Sequence, residues 1–269
     1  MTDVLDAERI AEGVLPALRP RLRRVTVLPT VDSTNTALAA LPAAEQHAHA
    51  LLAEQQTAGR GRGARRWHSP AGGNVYLSLG WRFRPAPRDL SALPLAVAVA
   101  VAEALSAAGL EGAGIKWPND ILVGGRKLAG ILVESQVEGG SGVRVIAGIG
   151  LNVRMPGATG EVAIDRPWTD LEAHLPATRH PVDRNSLVAG LLDRLLAAYE
   201  RFAGSGFESF RARYAERDVL AGRELVLEHA TGEIRGTGRG VDDAGHLRVA
   251  LPDGGLRHFH SGEVRVFGE

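Results

Sequence analysis

Three stretches of the chain combine residue types in patterns that could do chemistry. The first, Gln56-Thr57-Ala58-Gly59-Arg60-Gly61-Arg62-Gly63-Ala64-Arg65-Arg66-Trp67, interleaves glycines with arginines and ends on an indole. Guanidinium forks match phosphate and carboxylate oxygens, and an aromatic face accepts a planar base. Glycine-rich backbone is costly to order and like charges repel, so the stretch is expected to be mobile when empty. A nucleic-acid-binding segment or a solvated loop has the same composition, and the spacing is neither that of a P-loop nor of a dinucleotide fingerprint. The second is Lys116-Trp117-Pro118-Asn119-Asp120, followed by Arg126-Lys127-Leu128-Ala129-Gly130-Ile131-Leu132-Val133-Glu134. The intervening Gly124-Gly125 signals a hairpin that returns Lys127 toward Asp120, either as chemistry or as a surface salt bridge of little energetic worth. The third, Gly148-Ile149-Gly150-Leu151-Asn152-Val153, is a strand whose glycines admit a ligand or a tightly packed backbone.

Of the 31 basic residues only two are lysines, Lys116 and Lys127. A compact ammonium differs from a rigid guanidinium fork in hydration and reach, so two lysines surviving in one region mark a site that needs an ammonium.

The elements that must hold these residues follow from periodicity. Residues 4 to 24 read as an amphipathic helix, and Val25 to Leu28 as a strand leading to a turn or helix start at Thr30 to Asn35, whose short side chains can cap amides. Leu51 to Ala53, the alternating Val75 to Trp81, Ile121 to Val123, Ala129 to Glu134 and Val143 to Val153 are expected strands. Residues 91 to 108, rich in alanine, and Asn185 to Phe202, with leucines on one face, are expected helices. From about Arg217, short runs (Glu224 to Glu228, His246 to Leu251, Glu263 to Phe267) separated by glycine turns indicate a small β-barrel or sandwich.

A chain of 269 residues fits a large domain with a small appendage. Its 45% hydrophobic and 23% charged residues exclude disordered and fibrous classes. Zero net charge gives no global field to gather nucleic acid or anionic lipid. The absence of cysteine removes disulfides, thiolate-zinc sites and thiol nucleophiles together. Asp3, Asp6 and Glu8 stand where a signal peptide needs positive charge, and Ala92 to Ala102 is too short to span a bilayer, so a cytoplasmic protein without membrane partner is expected.

Taken in order, Ser33-Thr34-Asn35, the arginine-glycine stretch, Lys-Trp-Pro-Asn-Asp, Arg-Lys-Leu-Ala-Gly-Ile-Leu-Val-Glu and Gly-Ile-Gly-Leu-Asn resemble the biotin protein ligases, over about residues 26 to 269. The resemblance implies an α+β fold: a mixed-sheet, class II synthetase-like catalytic domain with helices on one face (1–219), followed by an SH3-like β-barrel (220–269). It implies a two-step reaction in which biotin and ATP with Mg²⁺ give biotinyl-5′-adenylate, and a lysine of a carboxylase's biotin carboxyl carrier domain takes the biotinyl group. It assigns Ser33, Thr34, Asn35, Gln56, Arg60, Gly61, Arg62 and Lys127 to biotin, and Arg62, Arg65, Trp67, Asn119 and Asn152 to the nucleotide. Lys127, Asp120 and Arg62 become the catalytic candidates; no metal ligands are assigned. Two departures stand out. Ala64 occupies a position where the family's loop usually has glycine, so a positive φ there would have to move to a neighbour such as Gly63. Regulatory members carry an N-terminal winged-helix domain, whereas only residues 1–25 precede the resemblance here, so ligation without nucleic-acid binding is expected. A lipoate-type ligase on the same scaffold is the nearest rival.

Overall fold

A computed structural model of the chain describes residues 4–155, 167–229 and 232–267. The elements run α1 (Ala7–Gly13), β1 (Arg24–Leu28), α2 (Thr34–Ala39), α3 (Ala43–Gln46), β2 (His49–Ala53), β3 (Val75–Phe83), α4 (Leu93–Ala107), β4 (Gly114–Lys116), β5 (Asp120–Val123), β6 (Arg126–Glu138) and β7 (Gly142–Leu151). After these come α5 (Arg184–Ser205), α6 (Glu208–Ala215), β8 (Glu224–His229), β9 (Gly232–Val241), β10 (Leu247–Ala250), β11 (Leu256–Phe259) and β12 (Glu263–Val266).

Seven strands form one mixed sheet in the order β1-β2-β3-β7-β6-β5-β4, parallel between β1 and β2 and antiparallel elsewhere. The period-two alternation along β3 puts Val75, Leu77, Leu79, Trp81 and Phe83 into the main core, where α4 and α5 pack. Helix α4 starts with a proline in its first turn, where the missing N–H costs nothing, and is apolar over most of its circumference because most of it is buried. Residues 90–107 have the length and hydropathy of a membrane span, yet most of that window is buried inside the protein. Helix α5 opens on Asp183, whose side chain accepts from the Asn185 amide, and ends at Gly206 with φ 58°.

The mixed α+β architecture matches expectation, with two differences. Helix α1 covers only Ala7–Gly13, because Pro16 and Pro20 stop the pattern expected over residues 4 to 24, and a short 3-10 turn follows at Arg19–Arg21. The helices also do not all lie on one face: α2 sits on the other side, where Leu38 meets Leu51 and Ile146 in a small separate cluster.

The C-terminal strands form a second, antiparallel sheet in the order β11-β10-β9-β8-β12. Several contacts tie this part of the chain to the first sheet, its helices and its loops. Ile115 bridges Asp218, the Trp117 indole N–H donates to the Gly245 carbonyl at 3.0 Å, and Gly245, at φ 78°, lies so close to Ala92 that a Cβ would come within 2.7 Å of it.

Candidate active site

A cleft of about 870 Å³ opens on the sheet face opposite α4 and α5. Its floor is made of glycines. Gly130 on β6 pairs with Gly150 on β7, and Leu132 with Gly148, so three of these four neighbouring positions carry no side chain. A Cβ at Gly150 would lie 2.4 Å from the Trp67 ring, and one at Gly148 would lie 2.3 Å from Asn35 Oδ1. The glycines therefore let an indole and an amide rest directly on the strands, so that what approaches the third stretch closely is side chains, where the expectation is a ligand or a backbone.

One wall is a neutral polar network at the start of α2. Ser33, Thr34 and Asn35 are all buried. The expected capping is done from outside the motif, because Gln56 Oε1 accepts from the Thr34 amide at 2.9 Å while Ser33 makes no side-chain cap. Gln56 Nε2 donates to Ser69 Oγ at 3.0 Å. Ser78 Oγ lies 2.6 Å from Asn35 Oδ1 and 2.8 Å from Thr34 Oγ1; its single proton goes to the amide oxygen, which can only accept. Asn35 spends its own N–H groups on the Leu132 carbonyl and on Glu134.

The arginine-glycine stretch forms the roof. It is a small hairpin in which Arg60 bridges Arg66, the Gly61 amide donates to the Arg65 carbonyl at 2.7 Å and the Trp67 amide donates to Gly59 at 2.9 Å. Gly63, at φ 61°, closes its turn. The positive φ thus falls on Gly63 rather than Ala64. Arg62 is lowered from its ordinary pKa, first by burial and then by Arg65 beside it, with Asp120 pulling the other way. A half-buried cation next to a second cation is a site whose electrostatics favour an anion.

The hairpin of β5 and β6 supplies the ammonium. Gly124 and Gly125, at φ 56° and 75°, make the tight turn that brings Lys127 Nζ to 2.7 Å from Asp120 Oδ1. Lys127 Nζ also lies 5.2 Å from the centre of the Trp67 ring. Lys116 lines the same cleft, so both lysines of the chain face it. Asn119 donates to the Ile131 carbonyl at 2.8 Å, and Asn152 to that of Thr169 at 3.0 Å. Every expected site residue, from Ser33, Thr34 and Asn35 through Gln56, Arg60, Gly61, Arg62, Arg65, Trp67, Asn119, Asp120 and Lys127 to Asn152, lines this one cleft.

Residues 27–152 match the model of the biotin/lipoate A/B protein ligase family, and residues 222–266 match that of the biotin protein ligase C-terminal domain. The bifunctional ligase/repressor BirA of Salmonella typhimurium is 36% identical over 264 residues, which cover 98% of this chain and 78% of that one. The chain belongs to the biotin protein ligase family. A biotin-[acetyl-CoA-carboxylase] ligase of Paracoccus denitrificans is 33% identical over 85% of this ligase and 95% of its own length. Among solved structures, the biotin protein ligase from Aquifex aeolicus in complex with biotin and ATP superposes with a TM-score of 0.77 at 26% identity, over 91% of this chain and 100% of that one.

Sequence reading missed residues of the ligase's cleft and of the network behind it. Ser69, in the cleft, and Ser78, buried behind Asn35, are lone serines with no local pattern. Glu263 comes from the C-terminal sheet, lines the cleft and takes Arg65 in a 2.9 Å ion pair across 198 positions of chain, a contact no spacing could announce.

Proposed function

We propose that the ligase attaches biotin to a lysine of a biotin carboxyl carrier domain at the expense of ATP. In the first step the biotin carboxylate attacks the α-phosphorus, the bond to the departing pyrophosphate breaks, and biotinyl-5′-adenylate forms. In the second, the neutral amine of the carrier lysine attacks the acyl carbon, an amide forms and AMP leaves.

The observation that carries this reading is the meeting, in one cleft, of a neutral polar wall with a cluster of cations over a glycine floor. Biotin's ureido ring presents two N–H donors and one carbonyl, so its pocket needs both hydrogen-bonding senses. Ser33, Thr34 and Gln56 offer hydroxyl and amide groups of both kinds, with Asn35 fixing the start of α2 and Arg60 and Gly61 closing from the roof. Attack of a carboxylate on a phosphate brings two anions together, which fixed cations aimed at the developing charge make affordable. Lys127, Arg62 and Arg65 take that role. Trp67 offers the adenine the ring face turned away from the glycines, and Asn119 and Asn152 stand at the base's edges. A lysine of pKa ~10.4 must shed its proton to attack, and Asp120 is the carboxylate positioned to receive or orient it. Mg²⁺ enters with the substrate on the ATP phosphates in this reading, and no step is assigned to protein ligands of it.

The same reading divides the chain into a catalytic domain (1–219) and an SH3-like barrel (220–269) that contributes Glu263 to the cleft, working in the cytoplasm. The name of the Salmonella relative raises a second reading, repression through DNA; zero net charge favours ligation alone.

The test is ATP-pyrophosphate exchange with biotin, lipoate or octanoate, then transfer to a carrier domain with one exposed lysine. Exchange with biotin alone and labelling of that lysine are expected. Exchange with lipoate but not biotin would overturn the assignment, and a specific gel shift on biotin-operon DNA would restore the repressor reading.

A further inference from the structure

Glu134 closes the last motif of the β6 hairpin, yet none of the chemistry above uses it. It sits on the cleft side of β6, opposite Ile146 and one strand pair beyond the glycine floor. Its Oε2 receives the Asn35 Nδ2–H at 2.8 Å and an Arg60 guanidinium N–H at 2.7 Å. Asn35 is the buried amide at the first turn of α2, and Arg60 opens the roof, 25 positions further along the chain. One carboxylate therefore holds the wall and the roof of the same pocket.

The contact is more than a surface ion pair. Alone, the half-exposed Arg60–Glu134 pair would contribute little. Asn35, however, is buried, and its orientation is fixed by the Leu132 carbonyl and Ser78 Oγ as well as by Glu134. Gly148 gives it room to lie on the strand. The relay Ser78–Asn35–Glu134–Arg60 thus runs from a fully buried strand residue to the root of the roof, and every link is a hydrogen bond of 2.6 to 2.8 Å. Arg60 needs that anchor because the nearest roof residues are also cationic, and their repulsion pushes it outward.

We propose that Glu134 is a positioning residue for the biotin pocket, setting Arg60 over the ligand by tying it to Asn35. The proposal rests on the biotin-ligase reading, and its test has one arm independent of that reading. In the ligand-free protein, Glu134→Gln keeps an oxygen for Asn35 and the same volume but removes the charge that holds Arg60. Amide hydrogen exchange over residues 59–67 should then quicken several-fold while the unfolding midpoint stays put. In steady-state assays the KM for biotin should rise about tenfold, as for loss of one charge-assisted hydrogen bond, with kcat changed far less. In an Arg60→Ala background the same Glu134 substitution should add nothing. Unchanged loop exchange, or a KM effect that persists in full without Arg60, would overturn the proposal. If the parent protein fails to use biotin, the function fails, and the exchange arm still decides whether Glu134 tethers the roof.

Discussion

Along β3 and β7 the odd-numbered residues, such as Leu77, Leu79, Ala147 and Ile149, enter the core under α4 and α5, whereas the even-numbered Ser78, Gly148 and Gly150 turn to the cleft. Both faces come from the same strands in the same register. On one, volume is what matters, since buried aliphatic side chains interdigitate at close-packed density. On the other, the lack of volume matters, because an indole and an amide must lie against the backbone. Stability and binding are thereby assigned to alternate residues, and substitutions on each face should separate them.

The largest expected effect falls on the cleft. Lys127→Ala should lower single-turnover adenylate formation by about 10²- to 10³-fold, the usual consequence of removing a group aimed at developing negative charge. Lys127→Arg should not restore it fully, since the fork is bulkier than the ammonium beside Asp120. Rapid-quench measurement near the parent rate in the alanine variant would remove Lys127 from the chemistry.

On the helix-packed face, Leu77→Ala should destabilise the fold by about 2 to 5 kcal/mol in denaturant titration, because the fully buried side chain leaves a cavity. Its KM values, measured on the folded fraction, should stay near those of the parent. A large KM change there would mean that the two faces are not independent.

Gly150→Ala reverses the pattern. The new methyl would overlap the Trp67 ring, so the indole must leave the floor. We expect the KM for ATP to rise about tenfold, on the scale of one lost aromatic stacking contact, with little change in the unfolding midpoint. An unaltered KM would detach Trp67 from the nucleotide.

The smallest effect concerns the tie between the roof and the C-terminal sheet. A double-mutant cycle on Arg65 and Glu263 should give a coupling of about 0.2 to 1 kcal/mol that shrinks with added salt, since both groups are partly exposed. A coupling that salt leaves unchanged would mean the pair is desolvated in solution.

What the sequence reveals of this arrangement is what local chemistry dictates. The Gly124-Gly125 turn is readable because both residues sit at positive φ, and with it comes the approach of Lys127 to Asp120. Helix α5 is readable from its leucine spacing. Strand β9 escapes notice because of its glycines. Gly236 and Gly238 are required by the carbonyls of Ala250 and Leu220, which a Cβ would approach within 2.4 and 2.2 Å, and those partners lie elsewhere in the chain. The pairing of Arg65 with Glu263 and the capping of Thr34 by Gln56 are tertiary for the same reason.

The scarcity of lysine has a practical side. The chain's two ε-amines both line the cleft, and every other basic side chain apart from histidine is a guanidinium. Amine-selective acylating reagents, which leave guanidinium groups untouched, therefore meet only cleft residues besides the amino terminus. The extent of lysine labelling becomes a titration of open clefts, and occupancy of the site by any ligand can be read as protection. For the same reason, a support coupled through lysine would hold the protein by its active site, so immobilisation that keeps activity has to be made through another group.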